Sequence, residues 1–188
     1  MKAYLIPGWG EGLNDRNYQL VLDVYNRAGY QPEFLPINWN RRTIEDWVEE
    51  VKIKLSKHDI RDSLLSGFSF GAVTALSVAG TYQSPERLML FSLSSYYNGD
   101  NPKPSWLKDI GKKRTVSFSA IDFQKLAANI KSPTNIFCGS KEGPEMLHRA
   151  GQANKAIRSS KLFIVDGVSH DVTDPEYIKA IETALISK

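Results

Sequence analysis

The run Leu64-Leu65-Ser66-Gly67-Phe68-Ser69-Phe70-Gly71-Ala72-Val73-Thr74-Ala75-Leu76 constrains this chain more than any other stretch. An apolar segment meets a Gly-x-Ser-x-Gly pentad and continues as a small-residue helical pattern. It reads as strand, sharp turn and helix, with Ser69 at the turn. A serine held there projects its hydroxyl from a strained backbone position. Gly67 and Gly71 remove the side chains that would collide with the neighbouring strand and helix. The arrangement presents an exposed nucleophile.

The rest of the chain supplies alternating strands and helices around that turn. Ala3 to Ile6 reads as a strand and Leu13 to Ala28 as a helix stopped by Gly29. Gln31 to Ile37 is extended, and Thr43 starts a helix through Lys57 with Glu45 and Asp46 in its first turn. Ser63 to Ser66 leads into Ser69, and Ala72 to Gly80 leaves it. Glu86 to Leu93, Thr134 to Cys138 and Leu162 to Val165 read as further strands, with helices over Pro144 to Ala156 and Asp174 to Leu185. This rhythm predicts an α/β fold, a three-layer α/β/α sandwich on a mostly parallel sheet of about six strands. All 188 residues are expected in a single domain. Residues 95–133 interrupt the alternation and form a candidate lid or cap. From Asn101 to Lys131 they carry seven basic side chains against two acidic ones, either a solvated face or a cover favouring an anionic substrate.

Several classes are set aside on composition. The apolar opening before Pro7-Gly8 is too short for a signal-peptide core, and no run approaches the roughly 18 apolar residues of a membrane span, so the chain is expected to be soluble and cytoplasmic. Cys138 is the single cysteine, which rules out an internal disulfide and a cysteine-based metal site, and it reads as a packed strand residue. A net charge of +3 is too small to point to nucleic acid. Gly8-Trp9-Gly10-Glu11-Gly12 does not match dinucleotide-binding spacing, and there is no Gly-Lys-Ser/Thr phosphate loop.

Function in open parallel sheets gathers at the carboxyl ends of the strands. Those positions are Pro7-Gly8-Trp9-Gly10, Ser69, Ser94-Ser95, Gly139-Ser140-Lys141-Glu142 and Gly167-Val168-Ser169-His170. A serine hydroxyl needs a base to take its proton, and the base needs a carboxylate to fix its tautomer. His170 is the candidate base, since His58 and His148 sit at solvated positions. Glu142 is the leading acid and Asp166 the alternative. Asp171 adjoins His170 too closely to bond its ring, and Asp174 reads as the cap of the last helix.

With these residues in place the chain resembles the α/β-hydrolase superfamily over nearly its whole length. The order serine, acid, histidine is that family's order. Gly67-Phe68-Ser69-Phe70-Gly71 is similar to its nucleophile turn, Gly139-Ser140-Lys141-Glu142 to the loop bearing the acid, and Gly167-Val168-Ser169-His170 to the loop bearing the histidine. Pro7-Gly8-Trp9-Gly10 resembles the family's His-Gly loop, which implies that the amides of Trp9 and Phe70 form the oxyanion hole. The chain departs in having Pro7 before Gly8, glutamate for aspartate at Glu142, and a start at the family's third strand, a minimal form lacking the first two.

The resemblance implies a serine hydrolase acting on a small carboxylic ester or thioester through an acyl-enzyme, with no cofactor or metal. Phe68, Tyr96 and Tyr97, beside Trp9 and Phe70, are candidate walls of an apolar pocket. The alternative is a non-catalytic binding or scaffold protein that keeps the architecture. Oligomeric state is left open.

Overall fold

The computed structural model describes residues 1–57, 59–94 and 111–186. The strands are β1 (Lys2–Ile6), β2 (Gln31–Phe34), β3 (Ser63–Phe68), β4 (Arg87–Phe91), β5 (Thr134–Gly139) and β6 (Ser160–Val165). They form one six-stranded sheet in the order β2-β1-β3-β4-β5-β6, and every pairing is parallel. The register places Ile6 beside Gly67, Phe68 beside Phe91 and Phe91 beside Phe137. The central strands therefore release the chain at the same edge of the molecule.

Each central strand is buried on both faces, and its two-residue period divides it between two cores. Tyr4, Ile6, Leu65, Leu88, Leu90 and Ile136 belong to one cluster; Ala3, Leu5, Leu64, Met89, Phe91 and Phe137 belong to the other. The second face is covered by α1 (Gln19–Arg27) and α7 (Pro175–Ile186), whose buried stripes include Val21, Tyr25, Tyr177 and Ile181. The first is covered by α2 (Ile44–Leu55), α3 (Phe70–Thr81), α5 (Phe123–Asn129) and α6 (Pro144–Ala156). Helix α3 is buried all round from Phe70 to Gly80, since it lies between the sheet and the helices α2 and α5.

The expected elements are present, with shifted ends. Helix α1 begins at Gln19 rather than Leu13, because residues 13–18 are taken up by turns and Asn17 has a φ of 47°. Strand β2 stops at Phe34, ahead of Pro36, which has no N–H to continue a ladder. Strand β4 ends at Phe91, because Ser92 turns to a φ of 50°. Helix α2 starts as expected, with Asp46 Oδ2 accepting from Thr43 N at 2.8 Å.

Within the lysine-rich stretch the described part is regular. Helices α4 (Lys112–Ser119) and α5 pack Phe118, Phe123 and Leu126 into the core. Lys112, Lys113, Lys125 and Lys131 face solvent. Among the described residues no helix is long and apolar enough to cross a membrane.

Candidate active site

Strand β3 runs straight into Ser69, whose backbone sits at φ 56° and ψ −119°. A non-glycine residue there stores strain of about 1–3 kcal/mol, held in place by what surrounds it. Two glycines make the turn fit. A Cβ on Gly67 would lie 2.1 Å from Gly71 O, and one on Gly71 would lie 2.3 Å from Pro7 O and 2.4 Å from Ile6 O. The start of α3 is thereby pressed against the end of β1. Ser69 N extends the ladder by donating to Phe91 O at 2.9 Å, while Ser69 O accepts from Ala72 N and Val73 N at 3.0 and 3.3 Å. Ser69 as a whole is only 8% exposed.

Glu142 and His170 meet from separate loops. His170 Nδ1 lies 2.7 Å from Glu142 Oε2. The other carboxylate oxygen, Oε1, accepts from Ser92 Oγ at 2.6 Å and from Gly139 N at 2.6 Å. The Glu142 side chain has no exposed surface, while that of His170 is 37% exposed. A buried carboxylate with three hydrogen-bonding partners is held in a single orientation. Ser92 Oγ also lies 3.0 Å from the buried hydroxyl of Tyr177. Burial, reinforced by the Glu142 charge, keeps that hydroxyl protonated far above its ordinary range. The same two causes push the Cys138 thiol up to about 12, so this packed residue is no nucleophile.

The other acids are engaged elsewhere. Asp166 Oδ1 accepts from Ser140 Oγ at 3.2 Å; Asp171 Oδ1 accepts from Thr173 N and Oγ1 at 3.0 and 2.8 Å; and Asp174 Oδ1 accepts from Glu176 N at 2.9 Å at the start of α7. His148 is exposed on α6.

Trp9 and Phe70 stand together, ring centroids 5.8 Å apart and nearly perpendicular. The Gly8 amide donates to Tyr18 OH at 2.9 Å. Among the described residues no group accepts from the Trp9 amide. Phe70 follows Ser69 directly as the first residue of α3. The Arg114 guanidinium lies 5.3 Å from the centroid of the Trp9 ring and donates to Arg42 O and Trp39 O at 2.9 and 3.1 Å, so one basic residue of the 95–133 segment does reach this end of the sheet.

Phe68, expected as a pocket wall, is corrected to a core position. It is 1% exposed, and its ring packs 4.7 Å from the His170 ring and 6.3 Å from that of Tyr18. Inward pleating at the last strand position turns it under the imidazole. Tyr96, Tyr97 and His58 lie outside the described residues. Among the described residues no Ser69 Oγ to His170 hydrogen bond is formed, and such contacts commonly tighten only around substrate. Among the described residues no three or more His, Cys, Asp or Glu side chains are grouped to hold a metal ion.

No family model and no curated protein sequence matches the chain. Solved structures do. Est1E from Butyrivibrio proteoclasticus superimposes with a TM-score of 0.78 at 14% identity, covering 99% of this chain and 88% of that one. MGS-MChE2, an α/β-hydrolase enzyme from a lagoon-sediment metagenome, gives 0.78 at 16% identity over 98% and 88%. Mouse α/β-hydrolase domain-containing protein 10 gives 0.72 at 15% identity over 98% and 87%. The chain has the α/β-hydrolase fold.

Proposed function

We propose that the protein is a serine hydrolase that cleaves a carboxylic ester or thioester through an acyl-enzyme intermediate. The observation that carries this reading is the fully buried Glu142 carboxylate on His170 Nδ1, at the strand edge where Ser69 sits strained at its turn. A carboxylate so placed fixes the imidazole with its Nε2 available as a base and stabilises the imidazolium once it forms.

In this mechanism Ser69 Oγ attacks the substrate carbonyl while His170 Nε2 takes its proton. The amides of Trp9 and Phe70 receive the oxyanion, each donor contributing roughly 3 to 4 kcal/mol. His170 then protonates the departing alcohol or thiol. Water, deprotonated by His170, attacks the acyl-enzyme, and collapse of the second tetrahedral intermediate frees the acid and returns the proton to Ser69. Trp9 and Phe70 also offer an aromatic wall to the acyl or alcohol group.

Fluorophosphonate labelling of wild-type, Ser69→Ala and His170→Ala protein, with p-nitrophenyl acetate turnover on the same samples, tests the reading. Labelling that vanishes in Ser69→Ala and falls sharply in His170→Ala is the expected result. Folded wild-type protein that neither labels nor turns over the ester would instead favour a binding protein on a hydrolase scaffold.

A further inference from the structure

Three side chains between β1 and α1 stand outside this mechanism and yet touch both of its loops. The Tyr18 hydroxyl accepts from the Gly8 amide at 2.9 Å and donates to Glu11 Oε2. The other oxygen of Glu11 accepts from Arg16 Nε at 2.8 Å and pairs with Arg16 Nη2 at 2.7 Å. Arg16 Nη1 then donates to the His170 carbonyl at 3.3 Å and lies 3.7 Å from Asp171 Oδ1. A continuous polar chain thus joins the Gly8-Trp9 loop to the loop that carries the imidazole.

The apolar contacts follow the same path. The Arg16 guanidinium lies 5.0 Å from the centroid of the Phe68 ring, which also packs against the His170 ring. Backbone carbonyl, ring support and flanking carboxylate of the histidine loop therefore all converge on one guanidinium. Only a planar, multi-donor cation spans such a set, since an ammonium group offers a single point of charge. Burial works against the Arg16 charge, but Glu11 outweighs it and keeps the guanidinium firmly protonated. Tyr18, which closes the chain at Gly8, is itself wholly buried.

We propose that Arg16, seated on Glu11, is a positioning residue that holds the oxyanion loop and the His170 loop at a fixed separation. This rests on the hydrolase reading above. The Arg16 and Glu11 side chains are 30% and 19% exposed, and partly exposed pairs add little to global stability. Removing the link is expected to disturb alignment far more than it disturbs folding.

The test compares wild type with Arg16→Met, Arg16→Lys, Glu11→Gln, the Arg16→Met/Glu11→Gln double variant and, as a remote ion-pair control, Lys2→Met. Three readouts are taken: kcat and KM on p-nitrophenyl acetate, the melting temperature, and the NMR signals of the His170 ring. Arg16→Met is expected to lower kcat about tenfold with KM changed by less than about twofold, and Arg16→Lys to recover part of the loss. The double variant should be no slower than the worse single, because the two residues act as one unit. The His170 signals should shift or broaden in Arg16→Met and stay put in Lys2→Met. Unchanged kcat, a loss confined to KM, or an undisturbed His170 ring in Arg16→Met would overturn the proposal. If wild-type protein proves inactive, the hydrolase reading fails, and the ring signals alone decide whether Arg16 positions His170.

Discussion

Ser69 and Ser92 are the same backbone device used for opposite ends. Both follow a central strand directly, both have positive φ, 56° and 50°, and both amides donate to the neighbouring strand, at 2.9 Å to Phe91 O and 2.8 Å to Phe137 O. One turn opens into a helix pressed against the end of β1, and its hydroxyl is the proposed nucleophile. The other buries its hydroxyl completely between Glu142 and Tyr177. Strain at a strand end therefore aims a side chain without deciding what that side chain does. The neighbours decide: glycines and an adjacent loop around Ser69, a carboxylate and a phenol around Ser92.

The comparison can be broken most severely at the proposed nucleophile. Ser69→Ala is expected to lower kcat by about a millionfold in steady-state ester hydrolysis, with the fold intact by circular dichroism. Next comes the proposed acid, since Glu142→Gln lets the amide bond the wrong imidazole tautomer. That substitution should cost about ten-thousandfold in kcat. Ser92→Ala keeps the acid but removes a donor from it, and a loss of about tenfold in kcat is expected together with about 1–3 kcal/mol of stability in urea titration, because buried Glu142 and Tyr177 each lose a partner.

Glycine substitution sharpens the contrast between the two serines. Ser69→Gly relieves the strained φ and breaks none of the hydrogen bonds its backbone makes, so it should stabilise the protein by about 1 kcal/mol while abolishing fluorophosphonate labelling. Ser92→Gly also replaces a side chain at positive φ but should destabilise, since it strips the hydroxyl from Glu142. Equal signs for the two variants in matched urea titrations would refute the distinction.

The smallest effect concerns Cys138, beside the acid. Its thiol is raised from an ordinary 9.0 to about 12, so between those values the unfolded chain releases a proton that the folded chain keeps. Stability from this group is complete below pH 9 and declines as pH rises toward 12. Cys138→Ala should flatten the alkaline side of the stability curve, and at pH 8 wild-type thiol should react with Ellman's reagent only after denaturant is added.

The parts of the site legible in the sequence are those encoded locally. Glu142 and His170 each follow an apolar strand by a short glycine-containing turn, and Ser69 follows its strand directly between Gly67 and Gly71, so strand ends and residue chemistry suffice to nominate them as candidates. Ser92 escaped because hydrophobicity continues through Leu93; nothing in composition shows that a positive φ ends β4 at Phe91. Glu11, Arg16 and Tyr18 were hidden for a related reason. Arg16 and Tyr18 fall in a stretch that reads as helical, and the contact that gives the group its reach is the one from Arg16 to a carbonyl 154 residues away. The sheet's class and strand number followed from period and length. Helices α4 and α5 did not, since their polar sequence masks the few side chains, such as Phe118 and Phe123, that anchor them.

The proposed base hangs from the outermost strand on its side of the sheet. Strand β6 has a single neighbour, β5, and shows solvent Ile164 at 47% exposure, whereas β3, which leads to Ser69, is enclosed by β1 and β4. Opening of an edge takes less free energy than opening of a centre. Warming would therefore silence the chemistry by peeling away the proton acceptor while the serine turn is still intact, and cooling would restore it by re-pairing one strand. The proposed ester turnover would then gauge how well the rim of the sheet is closed.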